Sequence, residues 1–104
     1  MKRVYIAHPY NGELKNKDNV EKIIRKLATK NPNVLYISPI HTIGFLYNDV
    51  TYNHGMDYCI ELLSLCDELL LCQRWKTSTG CLIEKSYAEK NGIQISFYEV
   101  TKYA

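Results

Sequence analysis

No run in the 104 residues approaches the roughly 20 consecutive apolar residues that a membrane-spanning helix needs. The opening "MKRVYIAHPY" has two basic residues followed by only a few apolar ones, without the longer apolar core and cleavage site of a secretion signal. A cytoplasmic protein with no membrane contact is expected. The four cysteines, Cys59, Cys66, Cys72 and Cys81, form no Cys-x-x-Cys pair and have no histidine at zinc-finger spacing. They read as free, largely buried thiols, so neither a metal site nor a disulfide framework is expected. Charge of one sign is lacking too: 13 Lys and Arg against 11 Asp and Glu leave a net +2, and the lysines are scattered along the chain. Binding a nucleic-acid polymer normally takes a basic patch or stripe, so that partner is not expected. There is no repeat, low-complexity tract or linker, and the length suits one domain spanning residues 1–104.

What the chain does have is an alternation of two hydrophobic rhythms. "RVYIAH" (3–8) is short, apolar and β-branched, and "PYNG" ends it as a first strand. Asp18 followed by Glu21 reads as a capping box for a helix carrying Val20, Ile23, Ile24 and Leu27 on one side. "NPN" stops that helix, and "VLYISPI" (34–40) is the second strand. A mixed segment, "HTIGFLYNDVTYNHG", reads as a long loop before a second helix over 55–65. "ELLLCQ" is a continuous apolar run of the kind found in a parallel strand buried on both faces. "GCLIEKSYAEKNG" is a third helix stopped at Asn91-Gly92, and 93–100 is the last strand.

The order β-α-β-α-β-α-β predicts an α/β fold: one small flavodoxin-like (Rossmann-like) domain with a parallel four-stranded sheet, order 2-1-3-4, flanked by helices. Ligands of such sheets bind beyond the carboxyl ends of the strands. That gathers the segments 8–12, 40–53 and 74–80. In the third, Thr77-Ser78-Thr79-Gly80 leads into a helix whose free amides can hold an anion, with Ser78 or Thr79 adding a hydroxyl. The plainer reading, a Ser or Thr capping the helix, stands equally. Glu84 lies one turn past Gly80 on the same helix face and leans back towards the helix start, either into a pocket or into solvent. Asp57 is a candidate for orienting a base or a ribose hydroxyl, or else a solvated acid. Asp67 sits at the amino end of its strand, away from a pocket. His8, Pro9 and Tyr10 end the first strand. Tyr10 is placed to stack on a base or bond a nucleophile's carboxylate, and His8 reads equally as a loop histidine satisfied by backbone groups. His41, Phe45, Tyr47 and Tyr52 belong to the middle segment, as lid residues, packing over the sheet or a subunit contact. Trp75 is a stacking wall or an exposed aromatic at a dimer contact.

Across "CDELLLCQRWKTSTGCLIEKSYAEKNGIQI" (66–95) the chain resembles the nucleoside 2-deoxyribosyltransferase-like superfamily, in particular its small domains from phages and bacteria. An acid-led strand precedes Ser78-x-Gly80-x-x-x-Glu84, with Ser86 and Ala88 following, and "YIAHPY" and "SPIH" fit the same architecture. The resemblance implies that Glu84 attacks the anomeric carbon of a deoxyribose, that Gly80 lies against the sugar, and that Ser78 with nearby amides holds a 5'-phosphate. It implies a nucleoside or nucleotide as small-molecule partner, no cofactor, and a homo-oligomer, dimer or higher. Two departures stand out: His8-Pro9-Tyr10 where relatives carry a glycine-containing loop, and Leu82 where they tend to have a second glycine. They leave open a second function, a non-catalytic module that sequesters or senses a nucleotide, as a phage protein acting against host defence would. A third possibility is an interaction protein whose tyrosine-rich middle segment is only an oligomer interface.

Overall fold

The computed structural model describes residues 1–98. Strand β1 (Lys2–Ala7) shows how the sheet divides its two faces. Alternate side chains point to opposite sides. Val4 and Ile6 pack with Val20 and Ile23 of α1 (Leu14–Lys30) on one face, while Tyr5 and Ala7 pack with Leu63, Cys81 and Ala88 on the other. Strand β3 (Glu68–Leu71) alternates likewise: Leu69 and Leu71 join the Tyr5 face, and Leu70 joins the Val4 face. The continuous apolar run is thus explained by burial on both sides.

Strands β2 (Val34–Ile37) and β4 (Gln94–Phe97) complete a four-stranded sheet of order β2-β1-β3-β4, with every neighbouring pair parallel. This is the expected single α/β domain. Helices α3 (Tyr52–Ser64) and α4 (Thr79–Lys90) cover the Tyr5 face. The last expected strand reached Val100, but Glu99 and Val100 lie outside the described residues. At the amino end Asp67 bonds Arg3 twice: its carboxylate accepts from the Arg3 amide, and its own amide donates to the Arg3 carbonyl. Its place away from the carboxyl-end loops is as expected.

Three local expectations are corrected. Helix α1 begins at Leu14, after Glu13, so Asp18 is an interior residue and caps nothing. Its supposed partner, Glu21, bonds His41 instead. Strand β2 stops at Ile37 because Ser38 caps a new helix, α2 (Pro39–Ile43), accepting from the His41 amide with Pro39 at the first helical position. The supposed long loop is therefore largely helical: α2, a 3-10 turn (Gly44–Leu46), then α3, capped by Thr51. The stop at Asn91-Gly92 is present. Gly92 has a φ of 67°, and the Ile93 amide donates to the Ala88 carbonyl, the bond that closes a Schellman turn.

Among the described residues no helix is long and apolar enough to cross a membrane. The four cysteines are free, with Cys66, Cys72 and Cys81 buried.

Candidate functional site

Beyond the carboxyl ends of β1, β2 and β3 lies a cavity of about 630 Å³. Its walls come from the segment after β1, from α2 and the start of α3, and from the turn leading into α4. The volume is within the range of small-molecule sites.

Glu84 is the chemical centre of this cavity. It lies on α4, is only 5% exposed, and lines the wall. The Tyr5 hydroxyl donates to its Oε2. Its Oε1 accepts no bond from the described residues, yet no polar side-chain atom among them is both sealed from solvent and unpartnered. Oε1 therefore remains open to the cavity. Burial raises the carboxyl from 4.5 to about 7, with the Tyr5 hydrogen bond pulling the other way. The same burial, with Glu84 adding its charge, holds Tyr5 well above the usual phenol range. Cys59, also on the wall, is pushed up to about 11 by desolvation first and Glu84 second, so it stays a neutral thiol.

The start of α4, one turn before Glu84, lines the same cavity. Ser78 is its cap, with Oγ accepting from the Cys81 amide at 3.2 Å. The plainer reading of Ser78 is therefore realised, and its hydroxyl proton is still available to a ligand in the cavity it lines. Thr79 and Gly80 line it as well. Gly80 has no positive φ, and an added Cβ would sit 3.4 Å from the Tyr52 hydroxyl and 3.5 Å from Met56 Sδ, ordinary contact distances. Neither backbone nor packing demands glycine there, and alanine would favour the helix by about 0.5–1 kcal/mol. What glycine leaves is open space at the cavity wall. Gly80→Ala should keep or slightly raise its melting temperature while weakening ligand binding about tenfold, a loss near 1.4 kcal/mol. A titration of ligand against both chains checks this, and equal affinities would show that Gly80 does not face the ligand.

The first segment is fixed by its own hydrogen bonds. His8 Nδ1 lies 2.7 Å from the Pro9 carbonyl, so this nitrogen carries the proton and donates. Nε2 then accepts from the Asn19 amide at 2.8 Å. With both nitrogens spent, and burial lowering its proton affinity, His8 lines the cavity as a neutral brace. Pro9 and Tyr10 line it too, and the turn after them uses two left-handed residues, Asn11 (φ 54°) and Gly12 (φ 71°). Tyr10 does not meet Glu84's bonded oxygen; Tyr5 does. Tyr10 instead packs edge-on against Tyr47, ring centres 5.4 Å apart, and tethers the middle segment to the first.

Three expected site residues do not line the cavity. Asp57 is exposed, because on α3 the positions Tyr52, Met56 and Cys59 face inward and Asp57 is turned about 100° from Met56. Trp75 packs beside Phe97 at 5.6 Å, with the Lys76 and Lys85 ammonium groups over its ring. His41 bridges Ser38 Oγ (2.7 Å) and Glu21 Oε2 (2.9 Å). That Ser-His-Glu chain has the members of a nucleophilic triad, but Ser38 does not line this cavity and its Oγ already accepts an amide, so it braces α2 against α1.

Two residues of the site carry no role legible in the sequence, Tyr5 and Arg74. A tyrosine inside a buried strand needs a partner for its hydroxyl, and that is the signal that could have found Tyr5. Arg74 has a φ of 64°, a conformation that costs a non-glycine residue about 1–2 kcal/mol. Its Nη2 donates to Asn16 Oδ1 at 2.8 Å, and Asn16, 1% exposed, donates in turn to the Tyr10 carbonyl. No group of three or more His, Cys, Asp or Glu able to hold a metal occurs among the described residues.

A search of the curated proteins finds no match to this chain. A family model does match, over residues 2–97, and its description is a domain of unknown function, DUF4406. The match takes in all four strands and every wall of the cavity, and on it the chain belongs to the DUF4406 family.

Proposed function

We propose that the protein binds a nucleoside or nucleotide and cleaves or transfers its N-glycosidic bond, with Glu84 as nucleophile, as a nucleoside 2-deoxyribosyltransferase-like enzyme. The observation that carries this is the buried Glu84: one oxygen is held by Tyr5, the other is open to a cavity that Ser78, Thr79 and Gly80, one turn earlier on the same helix, also line. Free amides at the start of α4 suit a 5'-phosphate, and the Ser78 hydroxyl adds a donor.

In the first step Oε1 attacks the anomeric carbon, and the carbon–nitrogen bond breaks. The base leaves with the electron pair and takes a proton from water. The sugar is then an ester of Glu84. In the second step water or another base attacks the same carbon, the ester bond breaks, and the electron pair returns to the carboxylate. The attacking group gives up its proton.

Attack requires the ionised carboxylate. With the Glu84 carboxyl at about 7, the rate should rise with pH through neutrality and level off above it. Tyr5→Phe removes the donor that favours the ionised form. A hydrogen bond to a charged group contributes about 1.5–3 kcal/mol, so the rising limb should move up by about one to two pH units. A pH–rate profile of both chains measures this. An unmoved limb would remove Tyr5 from the mechanism.

A non-catalytic nucleotide-binding module is the second reading. Among the described residues Glu84 is the one carboxyl lining the cavity, so no second acid stands there to protonate a leaving base. Bound nucleotide recovered intact after heat release would select this function over turnover. In either case the protein acts on a cytoplasmic nucleotide as a homo-oligomer, for which Phe45, 76% exposed on the middle segment, is a contact candidate. Light scattering on the purified chain decides its state, and a monomer at all concentrations would remove the oligomer.

A further inference from the structure

The lysines look scattered in sequence, but folding brings two of them to one arginine. Lys15, Asp18, Asn19 and Lys22 recur at helical spacing, so they share one face of α1. That face and the residues Gln73 and Arg74 beyond β3 line a groove of about 430 Å³. Lys15, Lys22 and Arg74 give the groove three positive charges against the single negative charge of Asp18. Lys15 also meets Glu13 at 3.3 Å, an exposed pair. Neither Lys22 nor Arg74 makes an ion pair among the described residues.

Arg74 lines this groove and the main cavity together. Buried Asn16 fixes its guanidinium through Nη2, and Asn16 is itself anchored to the Tyr10 carbonyl. A guanidinium has five N–H donors, and this contact takes one. The rest of a fixed, unpaired fork is left at the junction of the two spaces, a geometry suited to phosphate oxygens.

We propose that the groove is a second anion subsite, joined to the main cavity through Arg74, and that the ligand is a nucleoside 5'-diphosphate or longer phosphate ester. This rests on the nucleotide reading of the main cavity and narrows it. The base and sugar occupy the main cavity, and the phosphate chain passes Arg74 towards Lys15 and Lys22.

Calorimetric titration tests it with 2'-deoxyadenosine, its 5'-monophosphate and its 5'-diphosphate, and the same series for the other three bases. Each is run on the native chain and on Glu84→Gln, so that turnover does not enter. The diphosphate should bind about tenfold more tightly than the monophosphate. A Lys15→Ala, Lys22→Ala double variant should lose that step and keep monophosphate affinity. A control pair at the far end of α1, Lys26→Ala with Lys30→Ala, should lose neither. A diphosphate no tighter than the monophosphate overturns the subsite and leaves the nucleotide reading standing. Equal loss in the control pair assigns the effect to long-range charge and also overturns the subsite. If no member of any series binds, the nucleotide reading itself falls, and the subsite falls with it.

Discussion

A Glu84→Gln chain is expected to release base from a deoxynucleotide at least about a thousandfold more slowly than the native chain. Gln keeps the shape of the side chain and an oxygen to accept the Tyr5 hydroxyl, so the cavity wall is preserved. What it lacks is a carboxylate able to form the sugar ester. Ligand affinity should change little, because Ser78, Thr79 and Gly80 are untouched. Turnover and affinity therefore separate in this variant. If base release continues at the native rate, the carboxylate has no part in the chemistry. A loss of affinity as large as the loss of rate would make Glu84 a binding residue.

The second large effect is on stability, and its sign follows from burial. Glu84 is held at about 7 in the folded chain, against 4.5 when solvated. Between those values the folded state binds more protons than the unfolded state, so stability falls as pH rises from about 4.5 to about 7 and is constant above. At about 1.4 kcal/mol for each tenfold change in proton affinity, the loss is about 3 kcal/mol. Glu84→Gln escapes it. Near pH 4 the two chains should unfold at similar urea concentrations, because both side chains are neutral. At pH 8 the variant should be more stable by about 3 kcal/mol. Urea titrations across that range measure the difference, and other groups cancel between the two chains. A gap that does not vary with pH would show that Glu84 titrates as an ordinary surface acid. The native chain thus bears a stability cost at neutral pH that one substitution removes. Such a cost is characteristic of residues retained for activity.

The sheet order was legible because each strand carries its own signal. Apolar residues crowd β1 and β3, the helical spacing of Val20, Ile23 and Leu27 separates β1 from β2, and right-handed crossovers leave few ways to arrange four parallel strands. That Glu84 and Gly80 share a helix face followed from helical geometry, while the choice between pocket and solvent for Glu84 stayed open until its burial was seen. The middle segment was harder. Its aromatics and turn residues obscured the helix start at Ser38-Pro39, and a strand signal through Ile40 ran over it. Of the two readings of Asp57 the solvated acid fits, since on a helix the neighbour of inward-facing Met56 is turned about 100° away. Tyr5 and Arg74 went unassigned because their roles depend on partners far along the chain: Glu84 for Tyr5, and Asn16 for Arg74. Local patterns show at most that the Tyr5 hydroxyl needs a partner, not which residue supplies it.

The most direct test of Glu84 as nucleophile is mass spectrometry of the native chain, acid-quenched during incubation with a 2'-deoxynucleoside 5'-monophosphate. A sugar-phosphate adduct is expected on the peptide containing Glu84, together with free base, and both should be missing from Glu84→Gln. Free base released equally by both chains, or bound nucleotide recovered intact from the native chain, would contradict it.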